Sequence, residues 1–142
     1  EYGQARKYTL QLTGVAYAAM SVLCILEFLF VSPLVGCFGV TSETAAATEQ
    51  LLRFHAITCL FMWSASFVLP NGLRAAGDVR FSMVVSVLSM WIFRISFSYL
   101  FIIYFNMGVM GVWIAMVIDW AVRIVVFGIR FFSNKWMHKK VI

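Results

Sequence analysis

Four long apolar runs, each bounded by charge or by helix-breaking residues, organise this chain. The first covers residues 8–31, carries no charge before Glu27, and meets Ser32-Pro33 at its end. At about 1.5 Å per residue, a helix of this length crosses the roughly 30 Å hydrocarbon core of a bilayer. Pro33 predicts a break and a short interfacial turn over residues 34–38, ahead of the polar stretch 41–50. Ser42 suits an N-cap, with Glu43 in the first turn, where a carboxylate meets the positive end of the helix dipole. The helix that starts there projects above the membrane, enters it near Leu51 and continues to residue 69, where Pro70-Asn71-Gly72 predicts its end. A third run covers 81–105 and a fourth 108–131; the short link at Asn106 forces these two antiparallel. The pattern predicts an all-α integral membrane protein with four transmembrane helices.

Composition supports lipid as the solvent. The chain is 63% hydrophobic and 12% charged, against the roughly 25% charge of a soluble domain. The net charge of +5 would suggest nucleic acid as a partner of a soluble protein, but these cations cluster at segment ends and point to membrane topology instead. Arg6 and Lys7 precede the first run, Arg74 and Arg80 separate the second from the third, and Arg130, Lys135, Lys139 and Lys140 follow the fourth. The opposite side carries only Arg53, with Glu43 and Glu49. The positive-inside rule therefore places both ends in the cytoplasm of a multi-pass protein of the cell membrane. The tail 135–140 reads either as a solvated end or as a contact for anionic lipid. Cys24, Cys37 and Cys59 form neither a CxxC motif nor an even framework, so no metal site or disulfide scaffold is indicated, and no catalytic constellation stands out. The opening at Glu1, with neither methionine nor signal sequence before the first span, reads as part of a longer chain.

Charges inside the spans are costly unless they meet a partner or water, so Glu27, Arg94, Asp119 and Arg123 carry the most information. Counting helical rise, Arg94 lies about 20 Å up the third helix and Asp119 about 18 Å up the antiparallel fourth. This predicts an Arg94–Asp119 ion pair, with Arg123 one turn from Asp119 on the same face, serving either to fix helix orientation or to relay protons or ions. Gly111, Ala115, Asp119 and Arg123 share one stripe of the fourth helix, which should face protein. Ser82, Ser86, Ser89 and Ser96 fall on a stripe of the third that allows close approach. Glu27 and Arg53 near the outer helix ends suit an interfacial salt bridge or snorkelling, with a functional carboxylate as the alternative. A histidine titrates near pH 6.5 when unperturbed, which suits proton exchange, so His55 is a weak functional candidate beside its reading as an interfacial polar group. Phe61, Met62, Trp63 and Phe67 either line a site for a greasy cation or pack against lipid and core.

The loop Leu-Arg-Ala-Ala-Gly-Asp-Val-Arg-Phe, residues 73–81, closely resembles the L-R-G-A-G-D-T-R loop of the multidrug and toxic compound extrusion (MATE) family. Residues 111–123, with Asp119 and Arg123, are similar to that family's last helix; Trp91-Ile92-Phe93-Arg94 with Ser98-Tyr99-Leu100 resembles the helix before it; and residues 3–8 resemble the segment preceding its ninth helix. Physically, Gly77 permits a tight turn, Asp78 suits a cap for the next helix, and Arg74 and Arg80 hold the loop at the cytoplasmic face. The resemblance covers residues 1–142 as helices nine to twelve of a twelve-helix, two-lobe transporter, in the C-terminal part of its second lobe. It implies an antiporter that exports drugs or other organic cations as sodium or protons enter, by alternating access about a midplane site, with membrane lipid and the rest of the transporter as partners and no cofactor. Some sodium-coupled members carry an acid on the tenth helix; this chain has none between Arg53 and Arg74. Alternatives are a small four-helix multidrug exporter acting as a dimer, with Glu27 as its carboxylate, a lipid-oligosaccharide flippase, and a non-transporting membrane scaffold.

Overall fold

The computed structural model describes residues 2–133; the basic tail at 135–140 lies outside them. Four helices fill that span: α1 (Tyr2–Gly36), α2 (Ser42–Ala75), α3 (Val79–Ile103) and α4 (Gly108–Phe132). Each is long and apolar enough to cross a membrane, and no strand occurs among the described residues. The order is up and down, with α4 packed against both α2 and α3, and α1 against α2.

Neither proline ends its helix. α1 continues through Pro33 to Gly36, and α2 through Pro70 to Ala75. A proline inside a helix deprives one carbonyl of its donor, but here the flanking side chains are anchored. Val31 and Val35 are buried on either side of Pro33, and Leu69 and Leu73 on either side of Pro70. Packing outweighs the local preference. The N-cap of α2 is Thr41, with extended backbone (φ −60°, ψ 153°), so Ser42 is the first helical residue rather than the cap.

α2 stops at the glycine of the 73–81 loop. The amide of Asp78 donates to the Leu73 carbonyl at 2.9 Å and that of Gly77 to the Arg74 carbonyl at 3.0 Å, with Gly77 at φ +91°. This is a Schellman ending, which requires a left-handed residue where Gly77 stands.

Because lipid is as apolar as the side chains, close packing and interhelical hydrogen bonds hold such a bundle together more than exclusion from water does. Two contacts show how close the helices come. A Cβ at Gly72 would lie 2.5 Å from Cγ2 of Thr9, and one at Gly111 would lie 2.8 Å from Cβ of Phe101. Gly72 is therefore a crossing point of α1 and α2, and Gly111 fixes the register of α3 on α4. Two buried clusters flank α4: Leu69, Leu73, Phe127 and Phe131 near the 73–81 loop, and Cys24, Ala56, Cys59 and Trp120 further along the bundle.

α2 and α3 each contain one π-helical turn, at Cys59–Trp63 and Met90–Ile95. Widening a turn misaligns backbone carbonyls with their usual donors, and hydroxyls take up some of these. Tyr17 donates to the Phe61 carbonyl at 2.9 Å, Ser96 to that of Trp91 at 3.3 Å, and Ser98 to that of Arg94. The turn in α3 also breaks the serine stripe. Ser82 and Ser89 are buried, whereas Ser96, beyond the turn, is exposed.

Candidate functional site

The buried charges lie on the stripe of α4 that faces its neighbours. Gly111, Ala115 and Asp119 are buried, Asp119 fully so. Its Oδ1 accepts from Arg123 Nε at 3.0 Å and from the hydroxyl of Ser89 on α3. Arg123 reaches across in turn, donating from Nη2 to the Ser86 carbonyl at 3.1 Å. The network ties the middle of α3 to α4 through both backbone and side chains. The other carboxylate oxygen, Oδ2, is buried without a hydrogen-bond partner among the described residues.

The expected Arg94–Asp119 pair is not formed. Ser89, not Arg94, stands opposite Asp119, and Arg94 lies more than a turn further along α3, past the start of the π-helical segment. Asp119 is also satisfied by an arginine one turn away on its own helix, the favourable i, i+4 spacing. Arg94 is instead half-buried in an open groove of about 640 Å³ between α3 and α4, with Met90, Ser98, Tyr99 and Val112, and makes no ion pair among the described residues.

A second buried pair joins the 73–81 loop to the far end of α4. Asp78, fully buried, accepts from Arg130 Nε at 2.8 Å rather than capping α3 with its side chain. The guanidinium lies 4.7 Å from the centroid of the Phe81 ring, adding a cation–π contact. By its position after the fourth apolar run Arg130 reads only as a flanking cation. Its spacing carried the signal: it follows Arg123 by two helical turns, so the stripe that holds Asp119 and Arg123 continues through it. The two other charged residues of the loop are exposed. Arg74 donates to Asn71 Oδ1 at 3.1 Å and approaches Ser86 Oγ at 3.5 Å, and Arg80 is exposed.

Towards the end of the bundle that holds the α1–α2 link, Glu27 and His55 meet, with Oε1 and Nδ1 3.1 Å apart. A carboxylate only accepts, so a proton on Nδ1 joins the pair and leaves Nε2 facing Cys59 Sγ at 3.1 Å. The edge of Trp113 packs against the imidazole, centroids 5.0 Å apart. Arg53 does not pair with Glu27. It lies 3.7 Å from Glu49, one turn away on α2, and over the Phe28 ring. No cluster of three or more metal-ligating side chains occurs among the described residues.

The aromatic run divides. Met62, Trp63 and Phe67 pack against the Cys24–Cys59–Trp120 cluster, with Trp63 stacked on Phe67 at 5.2 Å and Phe67 set edgewise to Trp120. Phe61 faces outward and is 67% exposed.

Apolar helices of this length, joined by short links and holding acid–base pairs in their interior, define a polytopic membrane protein. The chain belongs to the MatE family, whose model matches residues 1–100. It is 34% identical over 128 residues to "Uncharacterized transporter YisQ" of Bacillus subtilis strain 168, covering 89% of this chain and 27% of that protein. It is 25% identical over 118 residues to "Probable multidrug resistance protein NorM" of Thermotoga maritima, covering 83% of this chain and 25% of the relative. Against "Probable multidrug resistance protein YoeA" of B. subtilis strain 168 the identity is 23% over 126 residues, 88% of this chain and 27% of the relative. The chain thus spans about a quarter of the length of the curated relatives it matches. No solved structure matches it significantly. Members of the family are transporters and not enzymes.

Proposed function

We propose that this chain supplies four helices of the second lobe of a secondary antiporter that exports drugs or other organic cations in exchange for sodium or protons. Both of its ends lie in the cytoplasm, the remaining helices complete the central cavity, and Phe61 contributes an aromatic face to passing cations. Family membership supports efflux, and the names of the relatives from T. maritima and B. subtilis favour multidrug substrates.

The observation that carries a coupling role within this chain is Asp119. It is a fully buried carboxylate with one oxygen held by Arg123 and Ser89 and the other unpartnered among the described residues. Such a group offers a place for a proton or a small cation, while Arg123 holds its position when it is empty. Glu27 with His55 is the weaker candidate for the same work, being partly exposed on both sides.

The test is Asp119→Asn in the complete transporter, with ethidium export measured in cells and in vesicles under imposed proton or sodium gradients. Normal membrane levels with export that no longer responds to either gradient support the coupling role. Full gradient-driven export by the variant leaves the Asp119–Arg123 pair as a structural clamp.

A further inference from the structure

We infer that the Arg94 groove docks another transmembrane helix, one that carries an aspartate or glutamate at the depth of Arg94. The argument begins with the demand for charge. An arginine within a membrane span is costly without an anion or water, and Arg94 makes no ion pair among the described residues although it is half-buried. Residues one turn away on α3, Met90 and Ser98, offer no carboxylate, unlike the arrangement around Arg123.

Depth decides against a lipid phosphate. Arg94 lies about 13 Å from the Ile103 end of α3 and about 22 Å from its Val79 end, and an extended arginine side chain covers only about half of the shorter distance. A second copy of this chain serves no better. Glu27, Asp78 and Asp119 are already engaged by His55, Arg130 and Arg123, and the two carboxylates of α2, Glu43 and Glu49, stand in its first turns beside the α1–α2 link, Glu49 next to Arg53. The surroundings fit a helix surface rather than a dissolved anion: Met90, Ile95, Ile102 and Val112 form apolar walls, and Ser98, whose hydroxyl is taken up by the Arg94 carbonyl, and Tyr99 complete the lining. α3 is also the least covered of the four spans within this chain, so its open face and its unanswered charge coincide. A carboxylate brought in by a neighbouring helix answers both. The inference rests on the charge and depth of Arg94, independently of which compound or ion is transported.

A photo-crosslinker placed at Tyr99, which lines the groove and is 67% exposed, tests this in the intact transporter in its native membrane, with adducts mapped by mass spectrometry. The expected adduct is a peptide from a membrane span containing Asp or Glu and lying outside residues 2–133. Adducts to lipid alone, to an identical copy of this segment, or to a span without an acid overturn the inference. Charge exchange gives a second reading. Arg94→Glu should lower export at least tenfold, and changing the crosslinked acid to Arg in the same protein should restore it to within threefold. Undiminished export by Arg94→Glu, or failure of the exchange to restore it, also overturns the inference. Should Arg94→Glu fail to insert, the wild-type Arg94 background of the crosslinking experiment decides alone.

Discussion

Arg123 and Arg94 are both arginines in the middle of apolar spans, yet their surroundings are opposite. Arg123 has Asp119 one turn before it on the same helix, and its Nη2 donates to the Ser86 carbonyl of α3. Its charge is answered before any other helix arrives. Arg94 lies on the open side of α3 with methionine and serine at the corresponding positions, and its charge waits on a neighbour. The i, i+4 acid makes the difference: with it an intramembrane arginine is part of the core, and without it the same residue marks an interface.

Removing the acid should turn the first arginine into a copy of the second. Asp119→Ala leaves Arg123 uncompensated on the face of α4 that meets α3, at a cost of about 3–5 kcal/mol, the range for breaking a buried pair by deleting one partner. Thermal melting of the detergent-purified transporter should show this as a large fall in the midpoint; a midpoint unchanged within error would mean that Arg123 is no better placed than Arg94. A smaller effect is expected where α3 and α4 are levered apart. Gly111→Ala sets a methyl group against Cβ of Phe101, an atom next to the backbone that cannot swing away, and overpacking of this kind costs about 1–3 kcal/mol. Amide exchange should then rise along the α3–α4 hairpin and at Ser89, while the α1–α2 crossing at Gly72 keeps its protection. The smallest effect belongs to the partly exposed pair. Glu27→Gln keeps the shape and loses only the charge opposite His55, so it should shift stability by no more than about 1 kcal/mol in the same melting assay. A loss as large as that for Asp119→Ala would place this pair in the core class.

The four spans were legible because sustained apolar runs leave few alternatives to lipid, and the α2–α3 loop was legible because Gly77 suits a left-handed turn. The helix ends were less so. Pro33 and Pro70 argue locally for a stop, but buried neighbours on both sides of each proline keep the helix going. At the site, the stripe through Asp119 and Arg123 was read from spacing alone, whereas the partner of Asp119 was misjudged. Counting rise set Arg94 level with Asp119, whereas Ser89 holds that level and Arg94 lies more than a turn beyond it; rise also leaves azimuth open, and a π-helical turn at Met90–Ile95 alters the azimuth of everything beyond it. Nothing in the residue types of that segment announces a π-turn. Asp78 drew attention for its place ahead of a helix, and its actual partner stands far off in sequence, on a stripe that had been followed only as far as Arg123.

That π-turn also sets how the chain tolerates changes in length. A widened turn accommodates one residue more than an α-helix would use over the same rise, leaving the helix on either side in phase. Loss of one residue between Met90 and Ile95 would therefore tighten α3 into an ordinary helix and leave Phe101 facing Gly111. The same deletion between Val79 and Ser89 would rotate one end of α3 against the other by about 100°, setting Ser89 against Asp119 or Phe101 against Gly111, but not both. The turn is the one stretch of α3 whose length can shrink by a residue without cost to the register of the hairpin.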